Sequence, residues 1–389
     1  MKNKKDFRLH SIKVEPSQFF YPACISTLAL SYFIIRRAAL AKQLHLWTKN
    51  LPGILPHYAV KCNNDPILMR WMTEIHPDIG FDCASINEIT SVLPLVPAET
   101  KIIYAQPCKK EQDIKLAAAY GVQETVVDSP EEVEKLAAAG WKGTCLVRLL
   151  VDDAGSKQPF GKKFGAPVSW LPEMYSVARH HGIRMTGFSF HVGSECLSPV
   201  QYHSAIKLCK TASEIAALHK YDTETIDIGG GFLHKEEEFR QTAEVIRSSQ
   251  HYFSKDTRWI AEPGRFMAAP THTLHTTVIG KKRAYNPQND GQPKYRITVD
   301  ESVYGAFSNI PFDHQIPVFK HIRNTKRKEV PVTIFGRTCD SGDTISPCVT
   351  LEEPEVGDVL SIADMGAYTT VTASEFNGFP KAERIYLTE

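Results

Sequence analysis

The chain has 389 residues, of which 42% are hydrophobic and 23% charged. That composition excludes wholesale disorder and leaves room for two or three domains, or one large barrel with a smaller unit. Lys plus Arg (45) nearly cancel Asp plus Glu (44), and no long basic run is present, so the chain lacks the electrostatic footprint of a nucleic-acid binder. The nine cysteines form no CxxC pair, which excludes zinc ribbons and thioredoxin-like motifs. They read as reduced, mostly buried small hydrophobes.

The N-terminus, MKNKKDFRLH, is basic. The apolar stretch 19–35 that follows is broken by Pro22, Ser26, Thr27 and Ser31 and is short for a membrane span. It reads as a strand entering the core, with no membrane association and the cytoplasm as the default location. Residues 38–50 read as a helix, with Leu40, Leu44 and Trp47 on one face. Short apolar runs then recur at 55–61, 78–82, 101–105, 124–128, 144–150, 184–191, 224–228 and 257–262. Helical patterns separate them at 66–76, 85–93, 109–120, 130–139, 167–182, 199–219 and 235–250. Eight strand–helix alternations predict a parallel (β/α)8 barrel over 37–270. From 271 to 389 the short runs are rich in Thr, Val and Ile and few helical windows remain. This part reads as an all-β, Greek-key-like domain that contributes to the site, completed by the N-terminal segment 1–36.

Barrel enzymes carry their chemistry at the C-terminal ends of the strands. There the sequence places Lys61, Asp82, Tyr104, Asp128, Arg148, His191, Gly229-Gly230-Gly231 and Glu262. Any one of these could simply terminate a strand, but together they face one mouth. Lys61 is a solvated strand end or, if desolvated near cations, an amine of lowered pKa suited to Schiff-base chemistry. The three glycines lack dinucleotide spacing, yet they let backbone N–H groups approach an anion. Gly264 and Arg265, in AEPGRF, add a cation suited to phosphate, and Glu262 could pair with a protonated ring nitrogen. His191 could lie flat on such a ring. Amine, phosphate cradle, ring-nitrogen carboxylate and imidazole are the parts of a pyridoxal 5'-phosphate site. No metal-ligand spacing is evident.

Eight ordered motifs carry a resemblance: HYAVKCN, FDCAS, FSFHVGS, DIGGGF, AEPGRF, VYGAF, TCD and MGAYT. From about residue 30 onward the chain resembles the ornithine/diaminopimelate/arginine decarboxylases, barrel-type pyridoxal phosphate enzymes, and most of all their eukaryotic ornithine-type branch. The resemblance implies that Lys61 is the Schiff-base lysine, His191 stacks on the pyridine ring and Glu262 partners its nitrogen. Ser194, Gly229, Gly230, Gly231, Gly264, Arg265 and Tyr368 match cofactor-binding positions, and Asp82 and Arg148 match residues beside Lys61. Cys339 matches a proton donor that acts across a dimer interface. Asp313 and Asp340, with Tyr304 nearby, match substrate-binding positions. Lys163 and Asp343 match a pair formed between subunits of a head-to-tail homodimer with shared sites.

The function implied is decarboxylation of a diamino acid, foremost L-ornithine to putrescine. L-lysine, both amino acids together, or another basic or D-amino acid are the alternatives. Arginine-preferring relatives carry Glu where this chain has Asp313, and diaminopimelate enzymes carry CE where it has Cys339-Asp340. A non-catalytic regulatory homologue would be expected to lose Lys61, Glu262 or Arg265, and all are present. An amino-acid racemase would leave Asp313 and Cys339-Asp340 without a role. The chain departs from the family pattern at Arg337 and Ser341-Gly342, which flank Cys339 and Asp340 and so predict a reshaped second wall. Arg36-Arg37 departs locally.

Overall fold

A computed structural model describes residues 31–285, 292–323 and 326–389. Most of the N-terminal segment thus lies outside the described residues. Its end forms β1 (Tyr32–Arg36), which leads into a helix at Arg37–Asn50. Ten further strands follow: β2 (Ile54–Ala59), β3 (Gly80–Cys83), β4 (Ile102–Tyr104), β5 (Glu124–Val127), β6 (Thr144–Arg148), β7 (Ser156–Gln158), β8 (Arg184–Ser189), β9 (Ser194–Cys196), β10 (Thr225–Asp227) and β11 (Arg258–Ala261). A closed parallel barrel runs β2-β3-β4-β5-β6-β8-β10-β11, with β11 pairing back to β2. These eight strands stand where the sequence predicts them. The antiparallel ribbon β7–β9, which rises from the C-terminal ends of β6 and β8, is not legible in the sequence, because SKQ and SEC contain no apolar run.

Local chemistry fixes the crossovers. Asp65, Ser85 and Ser129 each cap the helix that follows by accepting backbone N–H groups, and Pro66 and Pro130 supply a preset φ at the first helical position. Inside the barrel, His57 fills the space beside Gly80, where a Cβ would come within 2.4 Å of the imidazole. Ile103, Val126, Leu146 and Ile260 form a cluster separate from the main core, as lumen-facing residues of a barrel do.

The C-terminal part comprises β12 (His272–Arg283), β13 (Tyr295–Val299), β14 (Phe319–His321), β15 (Glu329–Phe335), β16 (Thr344–Glu352), β17 (Val359–Ile362) and β18 (Glu383–Leu387). It is a mixed sheet organised on β12, which pairs with β1, β13 and β17. Two pairings are parallel, β1 with β18 and β13 with β15. Strand β16 escapes sequence detection because TISPCVTLE alternates poorly and holds Pro347. Among the described residues, no helix is long and apolar enough to cross a membrane.

One buried carboxylate ties the two parts together just beyond β2. Asp65 Oδ1 caps the helix at Pro66–Ile75, while Oδ2 accepts hydrogen bonds from Arg384 Nη1 (2.8 Å) and the Tyr386 hydroxyl (2.6 Å) of β18. Asp65→Ala removes a cap and strands two donors. Urea unfolding should show a loss of roughly 2–4 kcal/mol. A loss below about 0.5 kcal/mol, the level of ordinary surface changes, would contradict the tie.

Candidate active site

Strand alternation directs the key side chains. His57 and Ala59 point into the barrel, and Lys61 continues that face beyond the end of β2. Asp82 follows Gly80 by two along β3, and Glu262 follows Ile260 by two at the end of β11. Lys61 Nζ meets Asp82 Oδ2 at 2.7 Å. Lys61, His191, Ser194, Gly230, Gly231, Glu262, Gly264, Arg265 and Tyr368 line one cavity at the mouth. Ala59, Phe160, Glu195 and Phe232 complete its lining.

The electrostatics correct one expectation. The sequence reading anticipates a lysine of lowered pKa among cations. Burial does act in that direction, but the Asp82 and Glu262 carboxylates outweigh it and hold the Lys61 amine above its ordinary value. Glu262 is itself pushed well up by burial and by the neighbouring Asp227 and Asp82 carboxylates. Asp227 is pushed up to about 7 by burial, offset in part by the Gly229 N–H, which donates to Asp227 Oδ1 at 2.9 Å. Asp227 is one site residue that the sequence analysis does not single out. It sits two places before the glycine run and reads as strand interior, although a charged residue inside an apolar strand was a usable signal.

His191 is held neutral, first by burial and then by Arg148 and Lys61. The Gly193 N–H donates to His191 Nδ1 at 3.1 Å, which places the ring proton on Nε2. The imidazole packs on Phe160, with centroids 4.9 Å apart. Arg148 stacks over Phe164 at 4.9 Å. Gly229 and Gly231 adopt φ of +62° and +102°, and a Cβ on Gly230 would lie 2.8 Å from His191 Nε2. These backbones form a cradle that side chains would fill.

Arg265 forms a two-point ion pair with Asp313 (2.7 and 2.6 Å) and donates to Ser194 Oγ at 3.0 Å. Its guanidinium lies 5.2 Å from the Tyr368 ring. Asp313 is thus brought to the cavity edge, held by a cation. Tyr304, Cys339 and Asp340 are not brought to this cavity. They lie on the C-terminal part, where the Tyr304 hydroxyl donates to Asp340 and the exposed Cys339 contacts Asn377. The Asp313–Asp340 grip therefore does not form within one chain.

Asp343 is buried, and its carboxylate accepts from Val303 N, Thr338 N and Thr338 Oγ1, so it organises its own turn. Lys163 lies 5.0 Å over Phe164, away from Asp343. Arg337 points to Asp300 (3.1 Å), the Pro380 carbonyl (2.7 Å) and the Phe379 ring, so it anchors the segment beneath the Cys339 turn.

Several buried polar atoms lack a partner among the described residues: Arg265 Nε, Asp82 Oδ1 and Asp227 Oδ2. An anion beside Arg265 and a cation among the carboxylates would satisfy them. A pyridine ring carrying a protonated nitrogen and a phosphate fits both ends.

Comparisons agree with this geometry. The family model for the pyridoxal-binding domain of pyridoxal-dependent decarboxylases matches residues 37–269. An ornithine decarboxylase of Caenorhabditis elegans is 36% identical over 92% of this chain and 87% of that protein. The arginine decarboxylase of Paramecium bursaria Chlorella virus superposes with a TM-score of 0.87 at 32% identity, over 94% of this chain and 97% of that one. The lysine/ornithine decarboxylase of Vibrio vulnificus, complexed with putrescine, gives a TM-score of 0.83 at 30% identity, over 94% and 96%.

The raised Asp227 pKa has a sign that can be tested. Its carboxyl stays protonated in the folded chain up to about pH 7, whereas the unfolded group ionises near 4. The folded state therefore binds the extra proton between these values, and stability falls as pH rises from about 4 to about 7. In cofactor-stripped protein, denaturation at several pH values should show wild type gaining on Asp227→Asn as pH falls through this window. A pH-independent difference would reject the assignment.

Proposed function

The chain belongs to the pyridoxal-dependent decarboxylases, and on that premise we propose that it decarboxylates a diamino acid, foremost L-ornithine to putrescine, with L-lysine as the nearest alternative. One observation carries the reading: a cavity lined by the Lys61 amine, the buried Glu262 carboxyl and Arg265, with Asp313 held at its edge by a two-point pair to Arg265. An acidic far wall suits a substrate with a distal ammonium. The three relatives described above are named for ornithine, arginine and lysine/ornithine, so they support a basic substrate and differ on which one.

Pyridoxal phosphate, when bound, supplies the electron sink that accepts the pair left at Cα as CO2 departs. The chain's residues do the rest. Lys61 would supply the amine that holds the cofactor, and the Asp82 carboxylate, 2.7 Å away, orients it. His191, fixed as the Nε2 tautomer, offers a flat neutral face. Glu262, with Asp227 behind it, would face the ring nitrogen and favour its protonated form. Arg265, Ser194, Tyr368 and the glycine backbones would hold the phosphate, while Arg148 balances the carboxylates. Asp313 turns toward the distal amine.

Cys339 delivers the proton to Cα from a second copy of the chain, in a head-to-tail homodimer. Its exposure, and its distance from this chain's own cavity lining, support that reading. Asp340 and Tyr304 accompany it, and Lys163 lies on the face that meets the partner.

Release of CO2 from L- and D-ornithine, L-lysine, L-arginine and diaminopimelate tests the substrate. L-ornithine should be fastest, and Lys61→Ala should abolish release by orders of magnitude. A protein that retains no pyridoxal phosphate and releases no CO2 from any of them would refute the reading. For the shared site, Lys61→Ala and Cys339→Ala chains are each inactive but should recover activity when mixed. Mixtures that stay inactive, although mass measurement shows dimers, would place Cys339 outside the site.

A further inference from the structure

Glu195 is unexplained by the roles above. It lines the cavity, yet its backbone sits at φ +51°, in the left-handed region that side chains rarely adopt. Such strain persists only where the surroundings enforce it. Its side chain is 8% exposed. The carboxylate accepts from Lys157 Nζ at 3.0 Å and from Gln315 Nε2 at 2.7 Å. Lys157 stands directly opposite, since the ribbon pairs Ser156 with Cys196 and Gln158 with Ser194. Gln315 also donates to the Asp313 carbonyl at 3.1 Å, which puts Glu195 beside Asp313. Arg265 draws the Glu195 carboxyl below its usual range, against the effect of burial.

The charges on this wall balance without ligand: Arg265 and Lys157 against Asp313 and Glu195. A phosphate held by Arg265 draws on the guanidinium that now neutralises Asp313. Two carboxylates then face one remaining cation, Lys157, whose side chain is 44% exposed and free to swing outward. The wall is short of one positive charge.

We propose that Glu195 is a specificity-determining residue that, with Asp313, receives the distal ammonium of the substrate, and that Lys157 occupies its position until substrate arrives. This rests on the function proposed above and adds to it a second acid from the same chain. Lys157 then competes with substrate within the molecule, so the two partners of one ion pair act in opposite senses on binding.

Steady-state kinetics of the holoenzyme on L-ornithine reads this directly. Glu195→Gln should raise KM about 10-fold or more. Lys157→Gln should lower KM, because the internal competitor is gone. Both variants moving KM in the same direction, or neither moving it, would show the pair to be a structural strap and overturn the inference. Glu195→Gly relaxes the left-handed backbone and serves if the glutamine variant fails to fold. It should raise the thermal midpoint and raise KM together, whereas a raised midpoint with unchanged KM also overturns the inference. Calorimetric binding of 1,4-diaminobutane to holoprotein separates this inference from the reading beneath it. Binding that weakens in Glu195→Gln supports Glu195 even if ornithine is not the substrate, and equal binding in both proteins removes Glu195 alone.

Discussion

The mouth of the barrel is governed by carboxylates placed where water cannot reach them. Asp82, Asp227 and Glu262 converge from three strands, each almost fully buried. Buried like charges are tolerated only if protonated or matched by cations. Lys61 and Arg148 supply part of the match, and the raised pKa values of Asp227 and Glu262 show that it is incomplete. A site left short of positive charge is prepared for a cationic ring. The same imbalance explains why Lys61 is held more basic than a free lysine, with the Asp82 carboxylate in direct contact at 2.7 Å.

A second constraint joins the barrel to the sheet. Arg265 follows the last barrel strand, while Asp313 belongs to the C-terminal part, and their two-point pair closes one side of the cavity. Asp65 performs a comparable task on another side, joining the helix after the Lys61 turn to β18. The Tyr368 N–H adds a third link by donating to the Cys62 carbonyl at 2.9 Å, next to Lys61. The lysine turn is thereby fixed from both parts of the chain. The precision that positioning demands thus rests on contacts made by residues far apart in sequence.

Much of this is legible in the sequence alone. The barrel strands showed themselves because a parallel strand covered on both faces must be apolar until its end, where polar groups become allowed. Lys61, Asp82, His191, the glycine run and Glu262 were found by that rule alone. The short strands β7, β9 and β14 are not, because SKQ, SEC and FKH hold no apolar run, unlike the equally short β4 and β10, and depend on their partners to form. Asp227 was passed over since its value lies in a neighbour, Glu262, 35 positions later (262 − 227). Glu195 was hidden for a different reason: left-handed backbone cannot be read from a residue type that normally avoids it.

By itself the sequence determined the alternation that builds the barrel, the identity of the groups at its mouth and the family to which they point. Those depend on local pattern and residue chemistry. Tertiary structure alone decided which charges meet: that Lys61 is ringed by acids, that Asp313 is held by Arg265, and that Cys339 and Asp340 lie outside their own chain's cavity. Charge interactions fall off with distance and strengthen with burial. Neither quantity exists until distant segments have packed.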